Sequence, residues 1–157
     1  MSFKNILCFG TLNPDLIYFV DELPTKGGDI RSLKSSMRPG GTAINCSELI
    51  SLWKKSVQVR GNSIGSDPMG KYLVDYLKEN NINFDGLIIN QSLTPTCSIF
   101  VDSSGERTIV SSGYEGLEWS NFENLNNFDS LIIDRYSIRF IKDKLKDLKK
   151  QNNLFVC

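Results

Sequence analysis

The chain contains no histidine. That absence removes the ordinary base of a Ser–His–Asp or Cys–His site, so acyl-transfer chemistry of that kind has no proton acceptor here. An excess of one charge is also missing: Lys+Arg 18 balances Asp+Glu 18, and no global field recruits nucleic acid or an anionic membrane. No apolar run approaches the roughly 20 residues of a membrane span, and the N-terminus lacks a basic stretch leading into a hydrophobic signal core. The expected location is cytoplasmic, with neither nucleic acid nor membrane as a partner. Cys8, Cys46, Cys97 and Cys157 are far apart, without the C-x-x-C spacing of zinc or redox sites, and read as buried reduced thiols. No metal site is expected. At 157 residues, 40% hydrophobic and 23% charged, the composition fits one soluble globular domain burying roughly 70% of its unfolded surface.

What is present concentrates in two clusters. Pro39, Gly40, Gly41, Thr42, Ala43, Ile44 and Asn45 lead into a stretch with helical periodicity. Two adjacent glycines at a helix mouth expose backbone whose unpaired N–H groups favour oxygen-rich or anionic ligands, which makes this a candidate docking device. Earlier, Gly10, Thr11, Leu12, Asn13, Pro14 and Asp15 close the first apolar strand and place an amide and a carboxylate two residues apart. On an extended segment such a pair shares a face and can grip neighbouring hydroxyls of a polyol. Together the clusters suggest a sugar site. Taken singly, each has a plainer reading: N-P-D is common Asx-turn chemistry, and a glycine pair is a tight turn before a helix.

Residues 6–9 read as a short buried strand, and 16–20 and 30–37 as extended segments joined by the turn-rich Pro24, Thr25, Lys26, Gly27, Gly28. The periodicity predicts a helix over 43–53, a strand at 57–59, and an amphipathic helix over 69–80 with Tyr72, Leu73, Tyr76 and Leu77 on one stripe. Asp67 reads as the cap of that helix. Strands are expected at 87–89, 97–101 and 107–110, the last two joined as a hairpin. A buried strand at 131–133, a helix over 138–150 with a solvated charged face, and an apolar strand at 154–156 complete the pattern. Helices alternating with buried strands imply an α/β domain with a parallel sheet, and the polar-flanked hairpins imply a separate small sheet or lid. Because the last residues stop inside what reads as a central strand, the chain reads as cut off. Gly61-Asn62-Ser63-Ile64-Gly65 matches the G-x-S-x-G nucleophile elbow, but without histidine the match is a decoy. Gly10 stands alone where a dinucleotide fold needs three spaced glycines.

In order and spacing, several of these motifs resemble ribokinase-like (PfkB-type) carbohydrate kinases. They are the N-x-D after the first strand, the Gly40-Gly41-x-x-x-Asn45 helix entry, Gly65-Ser66-Asp67 followed by Gly70, and Thr94-Pro95-Thr96 leading into a hairpin with Gly105-Glu106-Arg107-Thr108. The resemblance spans essentially all 157 residues but only the N-terminal half of the family's usual chain. The stretches G-G-T-A-I-N-C-S-E-L-I-S-L and T-P-T-C-S-I-F-V-D-S-S-G-E-R-T-I-V look most like ketohexokinase and fructokinase-type members. The implied fold is a ribokinase-like doubly wound parallel sheet flanked by helices. Residues 1–157 would be the N-terminal part of a single domain, with a small β-sheet lid from segments about 12–38 and 95–112 and the C-terminal half of the fold missing.

The implied activity is transfer of the γ-phosphoryl group of ATP to a sugar hydroxyl, with fructose-like ketohexoses favoured and ribose next, and ATP and Mg2+ as cofactors. Carried over by position, Asn13 and Asp15 would hydrogen-bond sugar hydroxyls, Gly40 and Gly41 would offer backbone contact, and Asn45 would reach the sugar from the helix's first turn. Thr42 stands where ribokinases tend to have Lys and ketohexokinases Asn, which leaves substrate choice open there. Asp29 falls in the lid segment where some relatives place another sugar-contacting acid. Lys54 and the late Gly65 depart from the family signature. The family's base lies on a D-T-x-G-A-G-D motif that does not occur here. No catalytic residue is therefore expected in this chain, which would supply a sugar half-site and be inactive alone. The other reading is a truncated remnant acting as a sugar-binding or protein-interaction module. A homodimer through the lid is the expected assembly.

Overall fold

The computed structural model describes residues 5–142 and the backbone of a short strand at Phe155–Val156. Its elements run β1 (Asn5–Gly10), β2 (Asn13–Phe19), β3 (Lys34–Gly40), α1 (Thr42–Leu52), β4 (Ser56–Gly61), β5 (Ile64–Gly65) and α2 (Pro68–Glu79). They continue through β6 (Ile89–Asn90), β7 (Thr96–Val101), β8 (Arg107–Ser112), a 3-10 turn at Leu125–Asn127, β9 (Ser130–Ile133), α3 (Ile138–Ile141) and β10 (Phe155–Val156). The main sheet has the order β10-β9-β1-β4 and is parallel throughout. Side chains alternate along β1: Leu7 and Phe9 pack with Phe122, Leu125 and Leu131 on one face, and Cys8 packs with Ala43, Ile44, Val59, Leu73 and Leu77 on the other. Burial on both faces explains why these strands read as unbroken apolar runs.

The second sheet has the order β3-β2-β7-β8 and gathers the segments expected to form the lid. β2 runs antiparallel to β3 and parallel to β7, and β7 and β8 form the expected hairpin. The predicted extended segment at 30–37 shifts: β3 begins only at Lys34 and runs on to Gly40. The reason is pairing, because β2 ends at Phe19 opposite Lys34, with Leu33 N donating to Phe19 O at 2.8 Å, and no strand remains to partner the preceding residues. Likewise the strand expected at 87–89 shortens and shifts to Ile89–Asn90, which pairs with β5, because Leu87 N is already tied into a turn on Phe84 O.

α2 begins as the sequence predicts. Pro68 occupies its first turn and Asp67 is the N-cap, accepting from Gly70 N at 2.8 Å. The same carboxylate accepts from Thr94 N at 2.8 Å and Thr94 Oγ1 at 2.7 Å, so it also clamps the entry to the lid. Burial alone would raise the Asp67 carboxyl, but the hydrogen bonds from Thr94, Gly70 and Met69 outweigh it and hold it below the usual range. Cys8 is buried, and burial together with nearby Cys46 pushes its thiol up to about 12. Cys46 and Cys97 are half-buried rather than buried, since they sit on α1 and on the open lid sheet. The part of the 138–150 helix beyond Lys142, with its charged face, lies outside the described residues, as do Leu154 and Cys157. No described helix is long and apolar enough to cross a membrane.

Candidate functional site

The C-terminal ends of β1 and β9 and the start of α1 meet around Thr11, at the end of the sheet where open parallel sheets commonly place ligands. β1 ends at Gly10, and the chain turns through Thr11 and Leu12 into β2. Buried Asn62 fixes that turn: Leu12 N donates to its Oδ1 at 2.8 Å, and its Nδ2 donates to Leu12 O at 3.0 Å. This clamp brings Asn13 opposite Gly40 and Asp15 opposite Arg38 in the β2–β3 ladder. Asn13 Nδ2 donates to Asp15 Oδ1 at 2.6 Å and to Pro14 O at 3.3 Å, while Tyr114 Oη donates to Asn13 Oδ1 at 2.8 Å. Burial pushes the Asp15 carboxyl up; the hydrogen bond from Asn13 pulls it back only in part.

The glycine pair serves the chain's own packing. A Cβ at Gly40 would lie 2.3 Å from Asp15 Oδ2, and one at Gly41, whose φ is +85°, would lie 2.2 Å from Thr11 O. The helix mouth is not the open docking device that the glycines suggest. Thr42 N donates to Thr11 Oγ1 at 3.2 Å and Ala43 N to Thr11 O at 3.2 Å, so two of the first amides of α1 are satisfied internally. Thr11 is held in turn by buried Asp134, whose Oδ2 accepts from Thr11 N at 2.8 Å and Thr11 Oγ1 at 3.1 Å. The other oxygen, Oδ1, accepts from Ser137 N at 2.8 Å and Ser137 Oγ at 2.6 Å. A buried carboxylate with its lone pairs occupied in this way is a fastening between β1 and β9.

Of the residues singled out in the sequence, Asn13, Asp15, Gly40 and Gly41 come together as expected. Thr42 and Asn45 are three apart on the first turn of α1 and share a face, with Thr42 half-buried and Asn45 exposed. Asp29 does not join them: it is exposed, in the loop beyond Phe19 and Lys34, at the far end of the ladder from Asn13 and Gly40. Sequence reasoning missed Thr11, Tyr114 and Asp134. An aspartate directly after a buried strand, with a serine three residues on, can tie down the following turn as Asp134 does, and could have drawn attention. Tyr114 sits between Gly113 and Gly116, both at positive φ, but nothing local marks its partner 101 residues away. Ser63 of the G-x-S-x-G match is fully buried, not displayed on an elbow. Among the described residues no group of three or more His, Cys, Asp or Glu could hold a metal ion.

The family of pfkB carbohydrate kinases matches residues 4–154. A ketohexokinase from Mus musculus is 30% identical over 112 residues, which cover 70% of this chain and 37% of that protein. A ribokinase from Dictyostelium discoideum is 28% identical over 108 residues, covering 68% of this chain and 34% of its own length. This chain therefore spans about a third of the curated relatives it matches. In three dimensions, the ribokinase of Arabidopsis thaliana complexed with ribose and ATP superposes with a TM-score of 0.77 at 18% identity, covering 99% of this chain and 53% of that one. With the ribokinase-type sheet, the lid and the N-x-D and Gly-Gly elements all in place, the chain belongs to the pfkB family of carbohydrate kinases.

Proposed function

We propose that the chain supplies the sugar-binding half-site of a kinase that phosphorylates a sugar hydroxyl, with fructose-like ketohexoses favoured and ribose next. The hydrogen-bonded series Tyr114–Asn13–Asp15 carries this reading, because it presents a half-buried carboxylate beside the Gly40–Gly41 turn. A carboxylate accepts from two neighbouring hydroxyls, as a polyol requires, and Thr42 and Asn45 add polar groups from α1. Family membership and the ribose held by the Arabidopsis relative support the substrate class. Residues 1–157 as the N-terminal part of one kinase domain, lid segments at about 12–38 and 95–112 and a cytoplasmic location belong to the same reading.

ATP and Mg2+ enter as the family's cofactors, but the described residues do not fit them. The α1 mouth that could cradle phosphate is occupied by Thr11, and no cluster of metal-ligating side chains faces it. No step of phosphoryl transfer is assigned to these residues. A coupled assay of ADP release with fructose or ribose plus Mg-ATP is expected to show no sugar-dependent turnover by this chain alone. Turnover would mean that both the base and the phosphate site lie within these residues.

A second reading, a sugar-binding or protein-interaction module, is favoured by the lid's outer edge. β8 is exposed along its whole length, and its Ile109 and Val110 are 52% and 56% exposed. An apolar edge strand of this kind is covered most simply by a second copy of the same lid. Light scattering is expected to show a homodimer that Ile109→Glu dissociates; a strict monomer at high concentration with the lid folded would remove this assembly.

A further inference from the structure

We propose that Tyr114 is a positioning residue of the sugar site, locking the Asn13 amide in the orientation that holds the Asp15 carboxylate. The proposal rests on the sugar-site reading above. Its basis is the hydrogen-bonding capacity of one side chain. An asparagine amide has two N–H donors and one carbonyl acceptor. Asn13 uses its donor nitrogen on Asp15 Oδ1 and Pro14 O, and its Oδ1 accepts from Tyr114 Oη. Asn13 is 3% exposed, so few of its polar groups can turn to water instead. Flipping the amide would set its carbonyl against the Asp15 carboxylate, acceptor against acceptor. Asn13 therefore acts through Asp15 rather than on a sugar directly, and Asp15 Oδ2 is the oxygen left to receive a hydroxyl.

Tyr114 also links this orientation to the lid. It lies two residues past the end of β8, its Oη is 3.7 Å from Cys97 Sγ, and Cys97 is the β7 residue paired with Asp15 on β2. The β7–β8 hairpin thus reaches Asp15 both through the strand ladder and through the phenol. Burial, first of all, and then Cys97, Asp15 and Tyr136 raise the Tyr114 phenol well above its usual range, so it remains a donor wherever the protein is folded. Across β3, Arg38 is the residue paired with Asp15.

Tyr114→Phe keeps the ring and removes only the donor. Two readouts test it in the 157-residue chain: calorimetric titration with D-fructose, and titration of the Asp15 carboxyl by carbon NMR. The variant should bind fructose about five- to tenfold more weakly, and its Asp15 should titrate at higher pH, since the Asn13 N–H is no longer held against the carboxylate. On an Asn13→Ala background the same change should add nothing. An unchanged Asp15 titration in folded Tyr114→Phe would overturn the proposal, even if sugar binding weakened, since a direct contact would then be at work. If the unaltered chain binds no sugar, the sugar-site reading fails, and the carboxyl titration alone still decides the role of Tyr114. The unaltered chain offers a check without substitution: both Asn13 side-chain amide protons should be shifted and slow to exchange, and freely averaged protons would overturn the assignment.

Discussion

Gly41→Ala should lower the melting temperature by about 6–12 °C, and Gly105→Ala by only about 2–4 °C. Both glycines have φ +85°, a conformation that strains an alanine at either position. They differ in what a methyl group would meet. At Gly105 nothing lies within 4 Å, whereas at Gly41 the new Cβ would sit 2.2 Å from the Thr11 carbonyl oxygen and 3.0 Å from Asn13 Oδ1. Relief requires the α1 mouth and the β1–β2 turn to separate, which breaks the bonds from Thr42 N and Ala43 N to Thr11. Strain of about 1–3 kcal/mol plus the displaced contacts brings the total to about 3 kcal/mol or more. Thermal unfolding followed by circular dichroism measures the difference; equal shifts for the two variants would show that Gly41 is not packed against Thr11.

Asp15→Asn should weaken fructose binding about 10- to 100-fold while leaving stability at neutral pH unchanged or slightly higher. The sign follows from the direction of the pKa shift. Burial raises the folded-state pKa of Asp15 above its ordinary 3.8. A proton bound more tightly in the folded state stabilises the fold fully below that ordinary value, and the stabilisation is lost as pH rises through the folded pKa. Ionised Asp15 therefore opposes folding slightly at neutral pH, and neutralising it removes a cost rather than a support. Binding behaves in the opposite way. Sugar hydroxyls donate to the ionised carboxylate, so affinity should rise with pH through the raised pKa and then level, while the variant stays flat. Calorimetry across that range, paired with denaturant unfolding, checks both halves.

Patterns with a short period were legible in the sequence and contacts across the chain were not. β1 and α2 could be read because residues 6–9 form a short apolar run, because Leu73 and Leu77 repeat at helix spacing, and because Asp67 precedes Pro68 as a cap should. Asn13 and Asp15 could be paired from their two-residue spacing alone. The start of β3 was misplaced because it depends on where β2 stops, which is a matter of register and not of local composition. The closed mouth of α1 was missed for the same reason: the motif shows two glycines, but the groups that fill the space are Thr11, 31 residues before Thr42, and Asp134, 123 residues after Thr11. Asp29 was placed only by its position in the lid segment, yet the antiparallel ladder sets Asp15 near one end and the loop carrying Asp29 beyond the other.

The central claim is that these 157 residues fold a sugar half-site around Asp15. Titrating the isotopically labelled chain with D-fructose and D-ribose, while following backbone amides by NMR, tests it most directly. The expected result is saturable shifts grouped at Asn13, Asp15, Gly40, Gly41, Thr42, Asn45 and Tyr114, and lost in Asp15→Asn. A folded chain whose amides at these positions do not move with either sugar, or whose shifts survive Asp15→Asn unchanged, would contradict it.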